Sequence, residues 1–170
     1  FFVIFYFHMK TGKLKMRIEK ISNLFLLTEL SSTISSLSHI YPDISHWYNN
    51  KVIPRVMLGE DIVIVSKSEN GETIGFAIGK KTEKESKLCC LMVLPDFRGR
   101  GYALKLINRI IEELDDDYPH CSVSEDLFHI YSKIFINHFR WSLDDVVSDV
   151  YQKGKLEYFF NGKHKKESII

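Results

Sequence analysis

The sequence predicts a single mixed α/β domain in which a central, mostly antiparallel twisted sheet is flanked by helices. Three observations carry that expectation. The chain has 170 residues, the length of one domain at roughly 100–200 residues. The short apolar runs Asp61–Lys67, Thr73–Gly79 and Lys87–Leu94 follow one another with brief polar links, as in an antiparallel meander. After them, helical and strand periodicities alternate, which mixes the layers.

The elements follow in order. Met16–Ile21 alternates weakly and reads as a first strand. Asn23 precedes Leu24, Leu27, Leu30, Ile34 and Leu37, which share one face at helical spacing in a helix that must end before Pro42. Asp43 is placed to cap a second helix bearing Ile44, Trp47, Tyr48 and Val52, stopped at Pro54. Within the meander, Glu69-Asn70-Gly71-Glu72 is the strongest turn signal, because Asn-Gly supplies the positive φ of a tight hairpin. Thr82–Glu85 is a polar link into the third run.

Tyr102–Leu114 places Ala103, Leu106, Ile107, Ile110, Ile111 and Leu114 on one helical stripe. The acids Asp115-Asp116-Asp117 beyond it oppose the helix dipole and read as a solvated loop. His120–Ser124 is a short strand, and Ser124-Glu125-Asp126 starts a helix carrying Leu127, Ile130, Tyr131 and Ile134, with Ser124 as its cap. Val146–Gln152 and Leu156–Phe160 close the fold as two strands. The order is β-α-α-β-β-β-α-β-α-β-β within one domain at residues 16–162.

At the front, Phe1–Phe7 is an apolar run too short for a membrane span of ~20 residues. It lacks a basic leader and cleavage site, so residues 1–15 read as an upstream or added arm, with Met9 or Met16 as the natural start. The rival is an added strand or sticky interaction arm. Residues 163–170 read as a frayed basic tail.

Lys plus Arg is 23 and Asp plus Glu is 22, a balance that predicts neither a nucleic-acid nor a membrane partner. Any anion site must be local. Cys89 and Cys90 are adjacent and would point to opposite faces of a strand, and Cys121 is alone. With no zinc-ligand spacing, the cysteines fit buried thiols of a reducing, cytoplasmic protein, and no metal is expected.

The stretch Leu88–Leu114 carries the chemistry. A buried strand ends, a proline stops its pairing, and Arg98-Gly99-Arg100-Gly101-Tyr102-Ala103 turns into a helix. The first N–H groups of a helix lack intrahelical partners and sit at its positive end. Glycines let a ligand approach that backbone, and arginines add charge, which makes a pyrophosphate cradle. The plain alternative is a glycine-rich turn with solubilising arginines. A P-loop fails because Tyr102-Ala103 stands where Lys-Ser or Lys-Thr is required. A dinucleotide fingerprint fails because Leu104 replaces its third glycine and the preceding strands form hairpins.

The string Leu91-Met92-Val93-Leu94-Pro95-Asp96-Phe97-Arg98-Gly99-Arg100-Gly101-Tyr102-Ala103 resembles the acetyl-CoA motif of the GNAT (GCN5-related N-acetyltransferase) superfamily. That motif is a strand ending near V-x-P, then R/Q-x-x-G-x-G/A and a helix. Arg98, Gly101 and Ala103 occupy its fixed positions, and the element order matches across about Met16–Gly162. The resemblance implies the GNAT fold, with the strands at Lys87–Leu94 and His120–Ser124 splayed around the cofactor. It implies that Gly99, Arg100, Gly101, Tyr102, Ala103 and Leu104 present N–H groups to the CoA pyrophosphate. Main-chain groups of Leu91, Met92 and Val93 would meet the pantetheine arm and the acetyl carbonyl.

The implied reaction is direct transfer of acetyl from acetyl-CoA, as co-substrate, to a primary amine in a ternary complex. It calls for a base at the amine and an acid at the leaving thiolate. In the simplest register the acid is Tyr131. A second register aligns Arg140-Trp141 with the family's Gly-Phe, puts Ile136 in the tyrosine slot, and leaves Tyr131 as packing. No base stands out. His120 and Glu125 flank a strand, while His46 and His129 lie beside aromatics that could line an acceptor pocket.

Acceptor choice is expected in Leu24–Arg55 and in the aromatic-rich C-terminal hairpin through Tyr158-Phe159-Phe160-Asn161-Gly162, which suits a pocket wall or a homodimer surface. Met92 and Phe76 are candidates to set acyl-chain depth. The rival function is a non-catalytic acyl-CoA sensor or interaction module.

Overall fold

Four strands, β1 (Met16–Ile21), β2 (Asp61–Ser68), β3 (Thr73–Lys81) and β4 (Ser86–Val93), pair antiparallel in the order β1-β2-β3-β4. The computed structural model describes residues 16–165. The arm at 1–15 and residues 166–170 of the tail lie outside the described residues. Gly71 takes the positive φ that the Asn-Gly turn requires, and Ser68 N–H donates to Glu72 O at 2.8 Å to close it.

Strand alternation divides the core in two. Ile62 and Ile64 of β2 face α4 (Tyr102–Leu114), with Leu106, Ile107 and Ile110. Val63 and Val65 face the opposite layer. That layer is α1 (Leu24–Ser35), α2 (Ile44–Trp47) and α3 (Ile53–Met57). Each Leu or Ile fully withdrawn from water contributes about 1.5–3 kcal/mol, so a sheet apolar on both faces holds both helical layers.

Asn23 caps α1, its Oδ1 accepting Phe25 N–H at 2.8 Å. Leu27, Leu30, Ile34 and Leu37 are buried as the periodicity requires, but Leu24 at the helix start is 55% exposed. The second helix departs further from expectation. Asp43 makes no side-chain cap, and the chain does not stop at Pro54. A π turn at Tyr48–Val52 joins α2 to α3, with Ile53 N–H bonded to Tyr48 O five residues back. Proline has no N–H and its ring crowds the carbonyl four residues earlier. The wider π turn moves that carbonyl aside, so Pro54 sits in the first turn of α3.

A second sheet has the order β5-β7-β6, from β5 (Cys121–Ser124), β6 (Leu143–Ser148) and β7 (Leu156–Phe160). β6 begins and ends earlier than the expected Val146–Gln152. Asp149 turns the chain at positive φ, and its carboxylate accepts Gly154 N–H at 2.6 Å. The helix α5 (Glu125–Lys133) lies over this sheet, with Phe128 stacked on Tyr158 at 4.0 Å between centroids. Phe159 and Phe160 are buried, so these two rings are spent on the core, while Tyr151 and Glu157 of the same hairpin border a cavity.

Ser124 does not cap α5; its hydroxyl is buried without a hydrogen-bond partner among the described residues. The first-turn acids instead hold Lys155, at 3.2 Å from Glu125 and 2.9 Å from Asp126.

The two sheets meet at one point. Leu88 N–H donates to His120 O at 3.0 Å and His120 N–H to Ser86 O at 3.1 Å. Beyond it β4 and β5 separate. The cause is in the β3–β4 register, where Ile78 faces Cys90 and Gly79 faces Leu88, leaving Cys89 as an extra residue. Such a bulge bends the strand and increases its twist. It also breaks the alternation that would send Cys89 and Cys90 to opposite faces. Both border the same cavity.

Candidate active site

The separation of β4 from β5 opens a cavity of about 570 Å³. Its walls are β4, β5, the start of α2, one face of α5, and Tyr151 and Glu157 of the closing hairpin. Arg98-Gly99-Arg100-Gly101 follows β4 and turns into α4. Gly99 and Gly101 stand at φ +73° and +79°, and nothing lies within 4 Å of where a Cβ would project from either. Gly101 is the N-cap of α4 and offers no side chain, and no acid occupies the first turn. The N–H groups of Tyr102, Ala103 and Leu104 therefore begin a helix whose positive end no side chain among the described residues caps.

Arg100 is exposed beside this turn, whereas Arg98 is tethered, its Nε donating to Val93 O at 2.9 Å. The residues fit an anionic diphosphate: an open, glycine-lined backbone turn with helix N–H groups and a guanidinium alongside.

Along β4, the carbonyls of Leu91 and Val93 point away from β3, since they accept from Tyr131 and Arg98. Met92 is turned the other way. Its carbonyl faces Gly75 of β3 and its side chain is buried in the core beneath α1. Phe76 is buried there too, so neither side chain borders the cavity as a measure of acyl depth.

Tyr131 projects from α5 into the cavity, its hydroxyl 3.5 Å from Leu91 O and its ring stacked on Phe135. Burial pushes its phenol up to about 12. Ile136, the tyrosine slot of the second register, is exposed, and Trp141 is buried with its indole N–H donating to Asp117 O. Burial likewise pushes the thiols of Cys89 and Cys90 up to about 12.

The other sequence candidates separate. His120 lies outside the cavity, stacked on Phe159, with burial and the Lys87 charge lowering its pKa. Glu125 accepts Leu156 N–H at 3.1 Å and pairs with Lys155. His129 is exposed on α5. His46 does border the cavity, as do Tyr41, Trp47 and Lys51 from the segment singled out for acceptor choice.

One residue escaped the sequence reading. Glu157 on β7 is 3% exposed and borders the cavity, and its Oε1 accepts a hydrogen bond from Ser122 Oγ at 2.7 Å. Burial pushes its carboxyl up to about 7, against the pull of that hydrogen bond. The available signal was a lone acid inside the apolar strand Leu156–Phe160. Among the described residues, no group of three or more His, Cys, Asp or Glu could hold a metal ion, and no helix is long and apolar enough to cross a membrane.

No curated protein sequence matches this chain significantly. Solved structures share its fold at low identity. A GNAT-family protein from Desulfovibrio desulfuricans superposes with a TM-score of 0.69 at 12% identity, covering 86% of this chain and 97% of the other. A GNAT-family acetyltransferase from Bacillus cereus gives 0.64 at 18% identity, covering 86% and 95%. The PaiA N-acetyltransferase from Thermoplasma acidophilum, solved with coenzyme A, gives 0.63 at 13%, covering 86% and 98%. The sequence model of the acetyltransferase (GNAT) family matches residues 26–129. That span holds the meander, the glycine turn, α4 and the strand that splays from β4, and the chain belongs to the acetyltransferase (GNAT) family.

Proposed function

We propose that the protein transfers the acetyl group of acetyl-CoA directly to a primary amine bound in the same cavity. The observation that supports this best is the continuity of the site. The helix N-terminus and glycine turn stand at the end of the strand whose splayed edge walls the cavity holding Tyr131.

The backbone of Gly99–Leu104, with Arg98 and Arg100, holds the pyrophosphate. The N–H groups of Leu91 and Val93, on the edge of β4 away from β3, align the pantetheine arm and the acetyl carbonyl. The thioester supplies an activated acetyl group, and this chain's residues supply proximity and proton control.

Tyr131 is the acid. Its phenol and the thiols of Cys89 and Cys90 all sit at about 12 in this cavity, from ordinary values of 10.0 and 9.0. Burial that disfavours a thiolate here also favours protonation of a departing thiolate, and the Tyr131 hydroxyl is the donor. The same shift keeps both cysteines protonated near neutrality and removes them as nucleophiles. Direct transfer follows, without an acyl-cysteine.

Gly101→Leu tests the cradle. The left-handed backbone costs a side chain about 1–2 kcal/mol, which a domain of this size survives, while the new side chain fills the anion site. Calorimetry should show acetyl-CoA binding lost in a folded protein. Retained affinity would remove the cradle.

A further inference from the structure

Glu157 is a buried carboxyl without a cation. The other buried acid among the described residues, Asp61, is met by Arg55 at 2.8 Å, but no ion pair among them reaches Glu157. A buried carboxylate is costly unless something of opposite charge meets it. Here the open side is the cavity. Ser122 fixes one oxygen at 2.7 Å, leaving the other free of hydrogen bonds among the described residues.

The surrounding wall narrows the choice of ligand. Tyr41, Trp47 and Tyr151 border the same space, with the two tyrosines edge to face at 5.6 Å between centroids. Such rings favour an apolar or aromatic body and the face of an ammonium. Asp43 and Glu157 are balanced by Lys51 and Lys87 around the cavity, so no excess of acid draws a polycation.

Resting on the transferase reading above, we propose that Glu157 binds the ammonium of the acceptor and takes its proton, and that the acceptor is a small monoamine with an apolar or aromatic body. The ammonium gives one proton to the Glu157 carboxylate, and the freed nitrogen lone pair forms the C–N bond to the acetyl carbon. The C–S bond breaks, the sulfur takes the Tyr131 proton, and the tyrosinate recovers a second proton from nitrogen. Glu157 then releases its proton to solvent, so one proton leaves per turnover.

The titratable groups facing Glu157 leave it this role. Tyr41 before α2, Tyr151 between β6 and β7, and Cys121 on β5 are each raised by burial and stay neutral. Lys87 on β4 acts on Tyr151 and pairs with no acid in the cavity.

The test titrates 2-phenylethylamine and spermine into the protein by calorimetry, with and without saturating CoA. The monoamine should bind about tenfold tighter or more, and Glu157→Gln should weaken it on the order of a hundredfold with CoA affinity unchanged. The kcat/KM for 2-phenylethylamine, which follows the free enzyme, should rise through pH about 7 in the wild type. In Glu157→Gln it should instead climb about tenfold per pH unit toward the amine's own pKa. Spermine binding as tightly as the monoamine, or unchanged amine binding and pH profile in Glu157→Gln, would overturn the proposal.

Should Glu157→Gln also lose CoA, Ser122→Ala gives the second reading. Its lost hydrogen bond should move the wild-type midpoint upward, and an unmoved midpoint overturns the assignment. Failure of the transferase reading looks different, as wild-type protein that does not bind CoA at all.

Discussion

Replacing Glu157 by glutamine should make the protein more stable at pH 8 while leaving it almost unchanged at pH 4. Burial raises the folded-state carboxyl from 4.5 to about 7, so between those values the folded chain holds a proton that the unfolded chain releases. Stability therefore falls as pH rises through that window and is flat above it. A shift of this size corresponds to at most about 3 kcal/mol at 1.36 kcal/mol per unit, and solvent reaching the carboxyl through the cavity mouth reduces it to roughly 1–3 kcal/mol. Glutamine keeps the acceptor for Ser122 and carries no charge, so it escapes this penalty. Urea unfolding of both proteins from pH 4 to pH 8 reads the difference directly, because every other titrating group cancels. Curves that stay parallel across the window would refute the buried, unpaired carboxylate.

Two further outcomes follow from the same geometry. Tyr131→Phe should lower turnover about a hundredfold with acetyl-CoA affinity within a few-fold, measured by steady-state rates beside calorimetry; unchanged turnover would assign the ring to packing on Phe135. Gly75→Ala would place a Cβ 2.4 Å from Met92 O between two paired strands. Neither backbone can yield without breaking the ladder, so a loss of about 3 kcal/mol is expected, seen as a fall of roughly 10 °C in thermal unfolding. An unchanged Tm would mean that β3 and β4 are not so closely paired.

What the sequence made legible was local. The Asn-Gly turn, the stripe of α4 and the strand–proline–glycine turn each depend on residues close in the chain, and each stands where its spacing puts it. What it hid depends on partners far away. Pro54 looks like a stop until the π turn before it removes the clash. Cys89 and Cys90 look like opposite faces until the pairing with β3 makes Cys89 an extra residue. The aromatics of the last strand suit a pocket wall as well as a core, and only α5 over Tyr158 and Phe160, with His120 against Phe159, decides between them. Glu157 was the largest omission. An acid in a short strand is ordinary on an exposed face, and its meaning appears only when β7 is seen to sit between β5 and β6 with that side chain turned inward beside Ser122.

The central claim is that one cavity joins an acetyl-CoA cradle to an amine site. It is tested most directly by following free thiol released from acetyl-CoA by the purified protein, with and without 2-phenylethylamine, at pH 8. Thiol release that depends on the amine and saturates with both substrates is the result expected. Acetyl-CoA bound with no amine-dependent thiol release, from this amine or from an alkylamine and arylamine panel, would contradict it.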